Sequence, residues 1–161
     1  MNQNGYPNPK LDDLYQEVIL DHNKRPRNFS KLEGATASAH GHNPLCGDDY
    51  EVYLSVSGDG VIQKVTFQGS GCAISKASAS MMTTFVEGKT KKEAETLKDQ
   101  FLHVITEDNV AAAERDAVGR LKIFEGVKQF PVRVKCAALA WRTLEEALKD
   151  TSQRKEEVST E

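Results

Sequence analysis

The order of two hydrophobic periods along the chain predicts an α+β fold, a small three-stranded antiparallel sheet with helices packed on it. A helical period opens the sequence, a period of two follows from about Ala35 to Gln68, and helical stripes return from Cys72 onwards. The 161 residues, 39% apolar and 28% charged, suffice for one soluble domain with its own core.

Met1 to Pro9 is polar, with two prolines and a glycine, and reads as a loose arm. From Leu11, the residues Leu14, Tyr15, Val18 and Ile19 continue one helical stripe, with Asp12 and Asp13 favourably placed in the first turn. Pro26 ends that helix. Tyr50, Val52, Leu54 and Val56 alternate with Asp49, Glu51, Tyr53 and Ser55, as in a half-buried strand. Ser57-Gly58-Asp59-Gly60 turns the chain into a returning strand, Val61 to Gln68, and Ala35 to His42 is a weaker third strand. Gly69-Ser70-Gly71 breaks the sheet. A helix then starts near Cys72, striped by Ile74, Ala77, Met81 and Phe85, and stops at Gly88.

Thr90 and Glu93 form a capping box for a further helix running to about Val104. Between Ile105 and Phe130 only short helical pieces are legible. A last helix is expected from about Cys136 to Asp150, with Ala137, Ala140, Trp141, Leu144 and Leu148 on one face. The organisation is therefore an arm over residues 1–10, one domain over 11–150, and a disordered polar tail over 151–161.

Composition excludes several functions. With 21 basic and 24 acidic residues the net charge is −3, which leaves no basic excess for nucleic acid. The longest apolar run, Cys136 to Trp141, is six residues, whereas a membrane helix needs about 20. Met1-Asn2-Gln3-Asn4-Gly5 has neither the basic nor the apolar region of a signal peptide, so a cytoplasmic location is expected.

Three cysteines are too few and too odd for a disulfide framework. Cys46 lies in the turn Asn43-Pro44-Leu45-Cys46-Gly47-Asp48, with Asp48 two residues away. Cys72 and Cys136 are each expected to open a helix, where unpaired N–H groups and the dipole favour thiolate, and Arg133 and Lys135 push Cys136 the same way. Any one of them alone would serve as a small core hydrophobe. Together they point to one tetrahedral site of three thiolates and a carboxylate, acceptable to zinc, while iron–sulfur clusters also prefer thiolates. No Cys-x-x-Cys pair is present, so the fold must bring them together.

The other polar residues carry less. His22 falls near a helix C-terminus, His103 on a helix surface, and His40 and His42 precede the Cys46 turn, within reach of its site or of strand packing. Ser70, Ser75 and Ser78 lack a Ser/His/Asp arrangement. Gly69-Ser70-Gly71 is too short for a phosphate loop.

Three ordered motifs carry a resemblance. Asn43-Pro44-x-Cys46-Gly47-Asp48, the run Gly71-Cys72-Ala73-Ile74-Ser75-x-Ala77-Ser78-x-Ser80-Met81-Met82, and Pro131-x-Arg133-x-Lys135-Cys136 resemble the IscU/NifU N-terminal family of iron–sulfur cluster assembly proteins, from about Leu11 to Leu148. The scaffold branch has histidine before the third cysteine. Lysine here, with extra sequence around Val110 to Phe124, resembles the SufU branch instead.

The resemblance implies an IscU/SufE-like fold and a zinc site from Cys46, Asp48, Cys72 and Cys136. It implies Cys46 as acceptor of persulfide sulfur from a SufS-type cysteine desulfurase, with a SufBCD-type complex downstream. Arg133 would be a neighbour of the ligands or a docking residue, able to pair with Asp48. Two alternatives stay open: a scaffold that assembles a [2Fe–2S] cluster on the same cysteines, and a non-enzymatic zinc-stabilised binding module.

Overall fold

The structure, a computed structural model, describes residues 9–149 and 157–160, with side chains from residue 16 onwards. Helix α1 spans Pro9–Lys24. Strands β1 (Ala37–Asn43), β2 (Asp48–Val56) and β3 (Ile62–Ser70) follow. Helices α2 (Ala73–Val86), α3 (Lys91–Thr106) and α4 (Ala112–Ala117) lead into a 3-10 segment, Gly119–Gln129. Helix α5 spans Pro131–Leu148 and a short β4 spans Val158–Ser159.

The sheet order is β3-β2-β1-β4. The three expected strands pair antiparallel, with Asn43 opposite Asp48 and Asp49 opposite Ser70. A fourth strand corrects the expected three: β4 lies parallel to β1, with Gly41 opposite Val158. Two residues are too few to show a period, and they fall in the stretch expected to be a polar tail. Of that tail, residues 151–156 and 161 lie outside the described residues, as do residue 150 and residues 1–8 of the expected arm.

The inward residues of β2, Tyr50, Val52 and Leu54, are fully buried. Tyr53, expected on the solvent face, is covered too. Helix α5 packs on β1 and β2, and α2 lies between α5 and α1. Trp141 of α5 stacks on Phe101 of α3, ring centroids 4.8 Å apart, and Phe101 meets Phe124 of the 3-10 segment edge-on. Trp141 Nε1 donates to Ser78 Oγ, which satisfies its buried N–H.

Gly41 lets α5 come close: a Cβ there would collide with Thr143. The segment after α1 is tied down through its backbone. Arg27 N donates to Ser80 Oγ at 2.8 Å, and Asn28 O accepts from Phe67 N at 3.0 Å. The capping box of α3 is present in both directions, Thr90 N to Glu93 and Glu93 N to Thr90, each 3.1 Å. No described helix is long and apolar enough to cross a membrane.

Candidate functional site

The β1–β2 hairpin delivers the first two donors. Its connecting residues, Pro44-Leu45-Cys46-Gly47, need Gly47 at φ +70°, which a side chain would strain. Cys46 is left half-exposed at the tip. Asp48, the first residue of β2, points inward and is fully buried. Helix α5 brings Cys136 to the same place. Cys136 Sγ lies 3.1 Å from Cys46 Sγ, and Cys46, Asp48 and Cys136 each offer a ligand atom within 4.8 Å of the others.

Cys72 is placed differently. It is the N-cap of α2, and its sulfur accepts from Ser75 N at 3.4 Å. Its backbone N–H donates to Asp48 Oδ1 at 2.9 Å. So its main chain is fixed to the site while its thiol is turned to its own helix, outside the three-donor group.

Asp48 is held on both oxygens. Oδ1 accepts from Cys72 N and from Ser75 Oγ at 3.0 Å; Oδ2 accepts from Asn43 Nδ2 at 3.1 Å. Asn43 Nδ2 also points at Cys136 Sγ, 3.6 Å away. Tyr50 OH meets Ser75 Oγ at 3.0 Å. Gly71 leaves room for this knot, since a Cβ there would stand 2.5 Å from Asp48 Oδ1, 2.6 Å from Ser75 Oγ and 2.7 Å from Tyr50 OH. The short glycine run is therefore a space requirement of the site.

The setting expected for Cys136 is corrected. Helix α5 starts at Pro131, so Cys136 is its sixth residue and is remote from the unpaired N–H groups of the first turn. Proline is well suited to the first helical position, which moves the start upstream of the apolar run. Burial pushes the Cys136 thiol far above its ordinary value, and the Cys46 sulfur and Asp48 carboxylate push the same way. Cys136 Sγ donates to Cys46 Sγ.

Arg133, exposed in the first turn of α5, has its charge favoured first by the Cys72 sulfur and further by those of Cys136 and Cys46. It lines a cavity of about 420 Å³ with Cys46, Gln129, Phe130, Pro131 and Val132. No Asp48–Arg133 pair occurs among the ion pairs of the described residues. Leu45, Phe130 and Val132 are exposed apolar side chains around Cys46. Lys135 faces elsewhere, into a groove with Leu102, Thr106 and Ala138.

The remaining sequence candidates stay away from the thiols. His22 Nδ1 is 2.7 Å from Ser80 Oγ, and His103 pairs with Glu114. His40 and His42 sit on the outer face of β1 and contact Asp49. Sequence reasoning missed Asn43, Tyr50 and Ser75 as supports of Asp48. The available signal was the alternation of β1 and β2, which turns Asn43, Asp48 and Tyr50 to the same side as the core.

The donor set suits a zinc ion. Thiolate ligands of a tetrahedral zinc stand about 3.8 Å apart, so the two sulfurs need only a small separation from 3.1 Å. Buried hydrogen-bond partners already orient the carboxylate, as expected of the groups behind metal ligands.

The NifU-like N-terminal domain profile matches residues 14–107. The iron–sulfur cluster assembly scaffold protein IscU of Streptococcus pyogenes serotype M1 is 42% identical over 141 residues, covering 87% of this chain and 86% of its own. The zinc-dependent sulfurtransferase SufU of Bacillus subtilis is 38% identical over 144 residues, covering 88% and 93%. A crystal structure from Fervidobacterium islandicum AW-1, described as a cluster assembly scaffold protein for the SUF system, superposes with a TM-score of 0.76 at 37% identity, covering 83% of this chain and 95% of that one. A profile spanning more than half of the chain, and relatives near 40% identity over most of it, agree with the cysteine motifs: the chain belongs to the NifU-like N-terminal domain family.

Proposed function

We propose that this chain works in cytoplasmic iron–sulfur cluster biosynthesis as a zinc-dependent acceptor of persulfide sulfur. Its donor would be a SufS-type cysteine desulfurase and its recipient a SufBCD-type assembly complex. Cys46, Asp48, Cys72 and Cys136 would hold the zinc, with the Cys72 thiol turning away from Ser75 to complete the set. Bound zinc supplies charge that keeps thiols deprotonated. The observation that carries the reading is a donor cluster of two thiols and a buried aspartate, with Lys135 facing a different groove. A scaffold-type histidine is absent from that position.

Cys46 is the acceptor in this reading. It is half-exposed on a turn beside an open cavity, whereas Cys136 is buried and Cys72 caps a helix. The Cys46 thiolate attacks the terminal sulfur of the partner's persulfide. The sulfur–sulfur bond breaks, the partner's cysteine leaves as thiolate, and Cys46 carries the persulfide. Arg133 beside the cavity meets the negative charge of the incoming group.

The greater identity to a relative named a scaffold supports a second reading, in which the same cysteines assemble a [2Fe–2S] cluster as cargo. Desulfurase turnover separates the two, measured with the zinc-loaded chain against the chain stripped and refilled with iron. Stimulation by the zinc form, with a mass increase of sulfur on Cys46 and its loss in Cys46→Ala, supports the acceptor. No stimulation by the zinc form, with a coloured cluster on the iron form, supports the scaffold.

A further inference from the structure

Strand β4 is held to the sheet by little backbone. It pairs with β1 over two residues, Gly41 opposite Val158 and His42 opposite Ser159, and Thr160 N donates to His42 O at 3.2 Å. A pairing that short is marginal by itself, because ordering the chain offsets what so few hydrogen bonds return. A side chain adds a second fastening. His40, on the outer face of β1, reaches two carboxylates with its two ring nitrogens: Nε2 is 2.7 Å from Asp49 Oδ1, and Nδ1 is 3.1 Å from Glu157 Oε2. Asp49 belongs to β2, whereas Glu157 immediately precedes β4. One imidazole therefore ties the last strand to the middle of the sheet.

Only the imidazolium satisfies both contacts. It has an N–H on each nitrogen, and each meets an acceptor. The neutral ring has one N–H. With that hydrogen on the shorter contact, to Asp49, the lone pair of Nδ1 faces a Glu157 carboxylate oxygen, acceptor against acceptor. Three carboxylates face the ring, those of Asp49 and Glu51 on β2 and of Glu157, and His42 lies two positions along β1. Helix α5 packs on the other face of β1, where Gly41 lies against Thr143. The Asp49 hydrogen bond, opposed by burial and helped by the charges of Asp49, Glu157 and Glu51, holds His40 above its ordinary 6.5.

We propose that β4 is a pH-dependent strap, closed over the edge of β1 by the protonated ring of His40. A ring that binds its proton more tightly when β4 is docked also holds β4 more tightly when protonated. The strand is therefore fastened at low pH and loosens as pH rises through the docked-state value of His40. Release bares the backbone of the β1 edge, with which another extended segment can pair. It also removes one wall, Val158, Ser159 and Thr160, from the groove of about 410 Å³ that contains Lys135. The contacts are partly exposed, so protonation changes the docking equilibrium of β4 by about two- to fivefold, enough to decide a marginal pairing. The strap does not depend on the sulfur-acceptor reading.

Nuclear magnetic resonance of the full chain, titrated from about pH 5.5 to 8.5, tests the proposal. Imidazole C–H shifts report the charge of His40, and the amide shifts of Val158, Ser159 and Thr160 report β4. The expected result is that these amides move towards random-coil positions as pH rises, with the same midpoint as His40. In Glu157→Gln the His40 midpoint falls by about 0.3–0.7 pH unit, which is the same two- to fivefold coupling read from the proton's side. In His40→Gln the β4 amides no longer respond over this range, while the amides of β2 and α5 keep their folded positions. Amide shifts of β4 that stay constant across the range in the wild type, or that respond equally in His40→Gln, would overturn the strap and leave the two carboxylate contacts as ordinary surface pairs.

Discussion

Asn43 is fully buried and its amide serves Asp48 and Cys136 together. Its removal leaves both without their shared donor. Asn43→Ala is expected to lower zinc affinity roughly 10- to 100-fold with the fold intact, read by competition against a chromophoric chelator. Gly71→Ala tests the same knot from the other side. Its methyl would press on Asp48, Ser75 and Tyr50, costing about 1–3 kcal/mol in a urea melt and weakening the metal site in parallel. Two histidines make opposite contributions to stability. Burial holds His22 below its ordinary 6.5, with Arg27 acting the same way and Asp21 against it. Both folded and unfolded chains carry His22 neutral above pH 6.5; below it the unfolded chain takes up the proton first, and stability falls with pH. The Asp49 hydrogen bond holds His40 above 6.5, so its contribution is complete below 6.5 and is lost as pH rises through the folded value. The stability advantage of the wild type over His22→Asn should shrink as pH falls from 6.5 towards about 5; parallel curves for the two proteins would refute this.

The 3-10 segment, Gly119–Gln129, is the element that sequence reading resolved least. Its buried residues, Leu121, Phe124 and Val127, recur every three positions, which is the 3-10 repeat, so a search for 3.6 finds only fragments. The segment is fastened by Phe124 against Phe101 and by Glu125, which accepts from Arg115 Nε at 2.6 Å and from Lys128 Nζ at 3.0 Å. Phe124→Ala is expected to cost about 3–5 kcal/mol in denaturant melts, a core-sized loss from what reads as an insertion. A cost near zero would mean the segment is an appendage. Better legibility attended α3, because Thr90 and Glu93, three residues apart, write its cap in the sequence. Helix α5 was misplaced at its start for the opposite reason: Pro131 satisfies the first turn by lacking an N–H, and no side-chain cap marks it.

For the molecule as a whole, the motifs made the site residues legible, while their arrangement depended on contacts between distant elements. The resemblance of the three motifs, not their spacing, groups Cys46, Asp48, Cys72 and Cys136; only the fold reveals that the Cys72 thiol is turned towards Ser75 and that Cys136 lies inside α5. The core around Trp141, Phe101 and Tyr50 is built without any of these donors. Chelation of a zinc-loaded sample should therefore lower Tm, by the equivalent of about 2.7 kcal/mol at a hundredfold excess over Kd, while circular dichroism keeps its folded shape at room temperature. Collapse of the spectrum on chelation would instead favour the zinc-stabilised binding module. Cys46 and Cys136 stand ninety positions apart in sequence and 3.1 Å apart in space. During synthesis, the hairpin bearing Cys46 and Asp48 leaves the ribosome long before α5 does. A nascent or prematurely terminated chain ending before α5 therefore has the turn without its partner sulfur. The paired donors exist only in a finished, docked chain, so ligation there doubles as a report that folding is complete.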